Sequence, residues 1–232
     1  METMKNNLKR HMSWIIMTMI VILIPMFVGM IIWGKLPERL PIHFNLAGEV
    51  DGASSKPFAV FAVPLYCLAM QIIVILACSA DPKISHGKAI SDKIYRLILF
   101  IIPATSIYAA IMIYGAALGR SVNVPMISQL FLAIIFLCLG NYIPKVRQNY
   151  TVGARLPWTL ENPEIWAKTN RLSGWLLMWG GIVFLLNAFL EVGGTIGLMI
   201  LLIGQMIVFA VIPTIYSYIL YKKMRGADDD KE

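Results

Sequence analysis

The stretch that decides the architecture is residues 13–34, SWIIMTMIVILIPMFVGMIIWG, which holds no charged side chain and has a Trp near each end. A helix needs about 20 apolar residues to cross a hydrocarbon core roughly 30 Å thick, and indole rings favour its two interfaces. Five more uncharged runs follow, at residues 57–80, 97–119, 121–144, 172–190 and 192–221. The sequence therefore predicts an all-α fold, a polytopic integral membrane helical bundle of six transmembrane helices.

Composition agrees. Of 232 residues, 58% are hydrophobic and 14% charged, and the mean hydropathy is +0.71. Soluble domains carry about 25% charged residues. So little charge cannot cover a water-soluble globule, which excludes a soluble enzyme, and so much apolar surface excludes a disordered chain.

The excess of basic residues, 20 against 13 acidic, is unevenly spread. Sixteen fall in alternate compartments: Lys5, Lys9 and Arg10; Lys83, Lys88, Lys93 and Arg96; Lys145, Arg147, Arg155, Lys168 and Arg171; Lys222, Lys223, Arg225 and Lys231. The intervening loops hold four: Lys35, Arg39, Lys56 and Arg120. Basic residues favour the cytoplasmic side, so both termini are expected there and the loop at 34–57 outside. The basic balance thus reads as a topology signal, and no direct nucleic-acid contact is expected. The first run outlasts a signal peptide's apolar core and has no A-x-A site after it, so it is read as a retained anchor.

Cys67, Cys78 and Cys138 all fall within runs and show no C-x-x-C spacing, so they read as small buried residues. His11, His43 and His86 are far apart, and neither a metal centre nor a cofactor is expected. The runs carry the amides Gln71, Gln129, Asn187 and Gln205, which suit hydrogen bonding between helices. Glu191 lies four residues after Asn187, on the same helical face. Transport of a small peptide or ion is the alternative reading these polar groups leave open. An intramembrane enzyme has less behind it, because H-E-x-x-H is absent and Thr18, Thr105, Ser106, Ser128 and Ser217 have no identifiable base within the runs. Gly193, Gly194, Gly197 and Gly204 put small residues at the start of the last helix, where a neighbour is expected to approach closely.

Two connectors are long enough to hold chemistry. In the first, Pro37 and Pro41 disfavour helix, and Asn45–Gly48 and Asp51–Gly52 are turn signals. His43, Asn45, Glu49 and Asp51 gather in nine residues there. They suit a recognition surface or a hard-cation site, or else are surface groups closing a hairpin. In the second, Asn162 is a good N-cap, Pro163 suits the first helical position and Glu164 the positive helix end. That helix should run through Trp166 and Asn170 into the fifth span, with Trp158 and Trp166 near lipid headgroups. It is an interfacial elbow, or a docking surface for a cytoplasmic partner.

These residues carry a resemblance. Gly140-Asn141, Pro144-Lys145, Asn149, Gly153-Ala154-Arg155-Leu156-Pro157-Trp158-Thr159, Trp166, Thr169-Asn170-Arg171 and Gly174 look like the pattern of the SdpI family of bacterial immunity proteins. Ala154 is smaller than the aliphatic residue expected there. Pro41-Ile42-His43-Phe44-Asn45, Gly48-Glu49, Asp51 and Lys56 resemble the uncharacterised membrane domain that often precedes it. The resemblance implies a bacterial plasma-membrane protein, not an enzyme, that protects against a secreted peptide toxin. It also implies that a cytoplasmic repressor can be held at the membrane. His43, Asn45, Gly48, Glu49, Asp51 and Lys56 would then face the toxin. Asn141, Pro144, Lys145, Asn149, Gly153, Arg155, Pro157, Trp158, Trp166, Asn170 and Arg171 would face the partner. The expected organisation is an N-terminal membrane domain at 1–120, an SdpI-like domain at 121–221 and a cytoplasmic tail at 222–232.

Overall fold

The computed structural model describes residues 2–85 and 90–229, with backbone alone at 2–7, 85 and 227–229. His86, Lys88 and Lys231, used above, lie outside the described residues. Six helices are long and apolar enough to cross a membrane: α1 (Glu2–Ile31), α2 (Val63–Ala80, led in by a π-helical turn at Phe58–Ala62), α4 (Asp92–Ala117), α5 (Val124–Tyr142), α7 (Pro163–Leu190) and α8 (Gly194–Asp229). Short helices α3 (Pro82–Ser85) and α6 (Pro157–Glu161) sit in connectors. The protein is thus a polytopic helical membrane protein. One departure is a two-stranded antiparallel hairpin, β1 (Arg39–Phe44) and β2 (Val50–Ser55), in the first connector. The last helix outruns its apolar run, with its backbone continuing through Asp228 and Asp229 into the segment expected as a tail.

The chain packs as two compact units, Met1–Ala80 with Tyr95–Phe131, and Asp81–Ile94 with Leu132–Glu232. In the first, α1 carries Pro25, which cannot donate the usual helical hydrogen bond. Side chains of α4 bond the carbonyls beside it, Ser106 Oγ donating to Ile22 O and Tyr114 OH to Pro25 O, each at 2.9 Å. Gln71 is fully buried and donates to Thr18 Oγ1 at 3.2 Å and Leu99 O at 3.1 Å, tying α2 to α1 and α4. An amide in hydrocarbon has no water to turn to, so it bonds a neighbouring helix. Tyr108 of α4 stacks on Phe131 of α5 and shares a 2.6 Å hydrogen bond with Ser128, as the short loop between these helices predicts.

In the second unit α7 and α8 run antiparallel: Gly180 meets Gln205, and Phe184 packs with Leu198. Gln205 Nε2 donates to Leu176 O at 3.4 Å. The close glycine contacts are not those expected. Gly194 and Gly204 have nothing within 4 Å of an added Cβ, and Gly193 and Gly197 meet only each other and Val192, in the turn into α8. The tight crossing is between α5 and α7, where a Cβ on Gly140 would stand 2.8 Å from Gly174 O and one on Gly174 would stand 2.7 Å from Pro144 Cδ. Gly174→Ala should therefore destabilise the protein by about 1–3 kcal/mol through overpacking. Gly204→Ala should be neutral or stabilising, since it only gains helix propensity. Melting temperatures in one detergent check the pair, and equal shifts would refute the crossing.

Candidate functional site

The hairpin is built from its two ends. At its base Leu40 is fully buried in a cluster with Leu36, Val60, Ile113 and Tyr114, so β1 is rooted among helix ends. The Lys56 side chain is only 7% exposed. Its Nζ donates to Glu38 Oε1 at 2.9 Å and to Trp33 O at 3.5 Å, and lies 5.2 Å from the Trp33 ring centre. Lys56, expected on a recognition surface, instead clamps the strands' base. At the tip Asn45 Oδ1 accepts from Ala47 N at 2.9 Å and Glu49 N at 3.0 Å, a turn made by a side chain. Gly48 has φ of +84°, and a Cβ there would stand 2.7 Å from Pro125 Cδ, so the tip closes on the start of α5.

Asp51–Gly52 is not a second turn. It lies in β2, where His43 pairs with Gly52 beside register shifts, and a Cβ on Gly52 would press within 2.9 Å of His43 Cβ. A hard-cation site does not form either. His43 Nδ1 pairs with Asp51 Oδ1, while Asn45 Nδ2 donates to Glu49 Oε2 at 2.9 Å, so the two carboxylates serve separate partners. No group of three or more metal-ligating side chains occurs among the described residues. What the hairpin presents outward is His43, Glu49 and Asp51, with the exposed apolar side chains of Ile42, Leu46 and Val50 beside them.

The connector between α5 and α7 is mostly coil, yet it is folded. Its backbone N–H groups are taken up by buried side-chain oxygens, as buried donors require. Asn149 Oδ1 accepts from Thr151 N at 2.8 Å and Val152 N at 2.6 Å, and its Nδ2 donates to Arg147 O and Val152 O. Asn170 Oδ1 accepts from Ala154 N at 2.9 Å. Thr159 Oγ1 accepts from Leu156 N at 2.8 Å. Trp166 is 2% exposed and donates to Val146 O at 2.9 Å. Gly153 has φ of +121°, and a Cβ there would stand 2.7 Å from Asn170 Oδ1 and 2.8 Å from the Trp166 ring. Asn149, Gly153, Trp166 and Asn170 therefore build the connector, and the Trp166 ring is packed in protein rather than exposed. Trp158 is half-buried, donating to Ser217 Oγ at 2.8 Å and lying against Tyr218 and Tyr221 of α8. Asn162 caps α7 as the sequence predicts, accepting from Glu164 N and Ile165 N. Asn141, Pro144, Lys145, Arg155, Pro157 and Arg171 are exposed.

One residue escaped the sequence reading. Asp81 is 4% exposed and joins two distant segments. Its Oδ1 caps α3 by accepting from Lys83 N at 2.9 Å and Ile84 N at 3.2 Å. Its Oδ2 accepts from Tyr150 N at 2.7 Å and Thr151 Oγ1 at 3.0 Å. The Asp81-Pro82 pair was a legible helix start, but nothing local showed the reach to residues 150–151. Lys83 adds a second bond across the same gap, donating to Gln148 Oε1 at 2.7 Å. Gln148 in turn donates to Thr159 O and Leu160 O.

Both connectors fall inside segments matched by known families. Residues 145–217 match the SdpI/YfhL protein family, and residues 20–68 match a domain of unknown function, DUF1648. The 145–217 match takes in the α5–α7 connector, α7 and most of α8, while the 20–68 match takes in the whole hairpin. The chain is also 25% identical to the immunity protein SdpI of Bacillus subtilis (strain 168) over 213 residues, which is 91% of this chain and 98% of that protein. No solved structure matches.

Asp81→Ala would strand the Tyr150 N–H and the Thr151 hydroxyl, which costs about 1–3 kcal/mol when such groups stay buried. The expected outcome is a lower melting temperature and faster tryptic cleavage after Arg147 and Arg155, with cleavage after Arg39 in the hairpin unchanged. Unchanged cleavage at Arg147 and Arg155 would show that Asp81 does not hold the connector.

Proposed function

We propose that this protein is an integral immunity protein of the bacterial plasma membrane that protects its cell against a secreted antimicrobial peptide. The observation that carries the reading is the likeness to a protein named for immunity along nearly the full length of both chains. The charge distribution supports an orientation with both termini and the α5–α7 connector in the cytoplasm and the hairpin outside. Each connector separates its frame from what it displays. On the hairpin Asn45, Gly48 and Lys56 hold the frame, and His43, Glu49 and Asp51 meet the peptide beside Ile42, Leu46 and Val50. On the connector Asn149, Gly153, Trp166 and Asn170 hold the frame, and Trp158 fixes it to α8. Lys145, Arg155 and Arg171, with Asn141, Pro144 and Pro157, are the surface offered to a repressor protein. Signalling then requires the peptide to bind one arrangement of the helices more tightly than another, because equal affinity shifts nothing. The mechanism is binding without bond chemistry, and it needs no cofactor.

Expression in a peptide-sensitive strain tests the reading. The wild type should restore survival, and the His43→Ala/Glu49→Ala/Asp51→Ala variant, at equal membrane abundance, should protect at least about tenfold less. That factor corresponds to the loss of about 1.4 kcal/mol of recognition. No protection by the wild type would end the immunity reading, and full protection by the variant would remove the hairpin from it.

A further inference from the structure

The second unit holds a cavity of about 500 Å³ whose walls include Lys83, Lys145, Arg147, Gln148, Pro163 and Trp166. The uncharged run at 121–144 ends beside Lys145, and the helix that leads into the run at 172–190 starts at Pro163; both residues line the cavity. The end of the first run places the Lys145 side of the cavity where hydrocarbon gives way to headgroups. None of its described lining residues is acidic.

The three cations also have no anionic partner among the described residues. Lys83 Nζ bonds the neutral Gln148 amide at 2.7 Å and lies 5.1 Å from the Tyr150 ring centre. Lys145 Nζ bonds the neutral Asn141 amide at 3.0 Å and lies 5.0 Å from the Tyr142 ring centre. The Arg147 guanidinium has no hydrogen bond or ion pair among the described residues, and it is exposed. Glu164, next to Pro163, is paired with Lys168 at 2.6 Å and does not line the cavity. Three uncompensated positive charges at headgroup depth, against an apolar wall of Val146 and Trp166, match one ligand chemistry. It is an anionic phosphate ester with a hydrocarbon chain beginning a few atoms away.

We infer that this cavity binds the glycerophosphate headgroup of an anionic membrane lipid, with Arg147 and Lys145 contacting the phosphate and Lys83 behind them. Basic pockets at helix ends hold such headgroups, each cation near the surface contributing about 1 kcal/mol. A bound headgroup would brace the end of α5 against the start of α7. The site does not depend on the immunity reading, because its readout needs neither toxin nor repressor.

The test is thermal unfolding of the full-length protein in a neutral detergent, titrated separately with phosphatidylglycerol, phosphatidylcholine and glycerol 1-phosphate. Phosphatidylglycerol should raise the melting temperature saturably, and the other two should not at the same concentrations. Lys145→Ala/Arg147→Ala should weaken the phosphatidylglycerol effect roughly 10- to 30-fold. Lys222→Ala/Lys223→Ala, which removes the same charge elsewhere, should leave it intact. Equal stabilisation by phosphatidylcholine, by glycerol 1-phosphate alone, or an equal loss in the Lys222/Lys223 variant would overturn the assignment. Should the Lys145/Arg147 variant not fold, the wild-type ligand series and the Lys222/Lys223 control still decide it.

Discussion

A backbone N–H that leaves a helix at a membrane boundary must find an acceptor, and in this protein the acceptors are side-chain oxygens. Asn45, Asp81, Asn149, Thr159 and Asn170 between them hold the amides of Ala47, Glu49, Lys83, Ile84, Tyr150, Thr151, Val152, Ala154 and Leu156. The four besides Asn45 are nearly or fully buried. Without them the folded coil between α5 and α7 would bury unpaired donors, at a cost of about 1–3 kcal/mol each. The helices need no such help, because they satisfy themselves. The connectors depend on it.

That dependence divides the residues of each connector into those that make the shape and those the shape displays. The hairpin is gripped at its root by Leu40 and Lys56 and at its tip by Gly48, and between those grips it leaves polar and apolar side chains outward. The second connector is gripped by Asp81, Asn149 and Asn170 and leaves a basic surface outward. Recognition by a rigid display avoids paying ordering entropy at the moment of contact. Each connector in this way holds a face ready.

The helices were legible because hydrocarbon imposes a long, unambiguous signal on sequence. Residues 57–80 were uncharged, and the helical stretch found there is Phe58–Ala80. Asn162-Pro163 was equally legible, since capping is local. The hairpin was not called as strands: Pro41 and Gly52 weaken the pattern, and register shifts around His43 blur the two-residue alternation. Asp51–Gly52 looked like a turn for the same reason that it is a good place for a shift. The burial of Trp166 was not legible, because it depends on Gly153 and Val146 folding back over the ring. The role of Asp81 lies in a contact across 69 residues of chain. The glycines erred likewise: Gly193 and Gly194 shape a turn, and the close crossing belongs to Gly140 and Gly174, whose partnership only packing reveals.

The most direct measurement is amide hydrogen exchange on the wild-type protein in lipid nanodiscs, resolved to single residues between 147 and 157. Side-chain oxygens that fold this coil should slow the amides of Tyr150, Thr151, Val152, Ala154 and Leu156 by about 100-fold or more relative to an unstructured peptide. Exchange of those five within a few-fold of the unstructured rate would contradict the account.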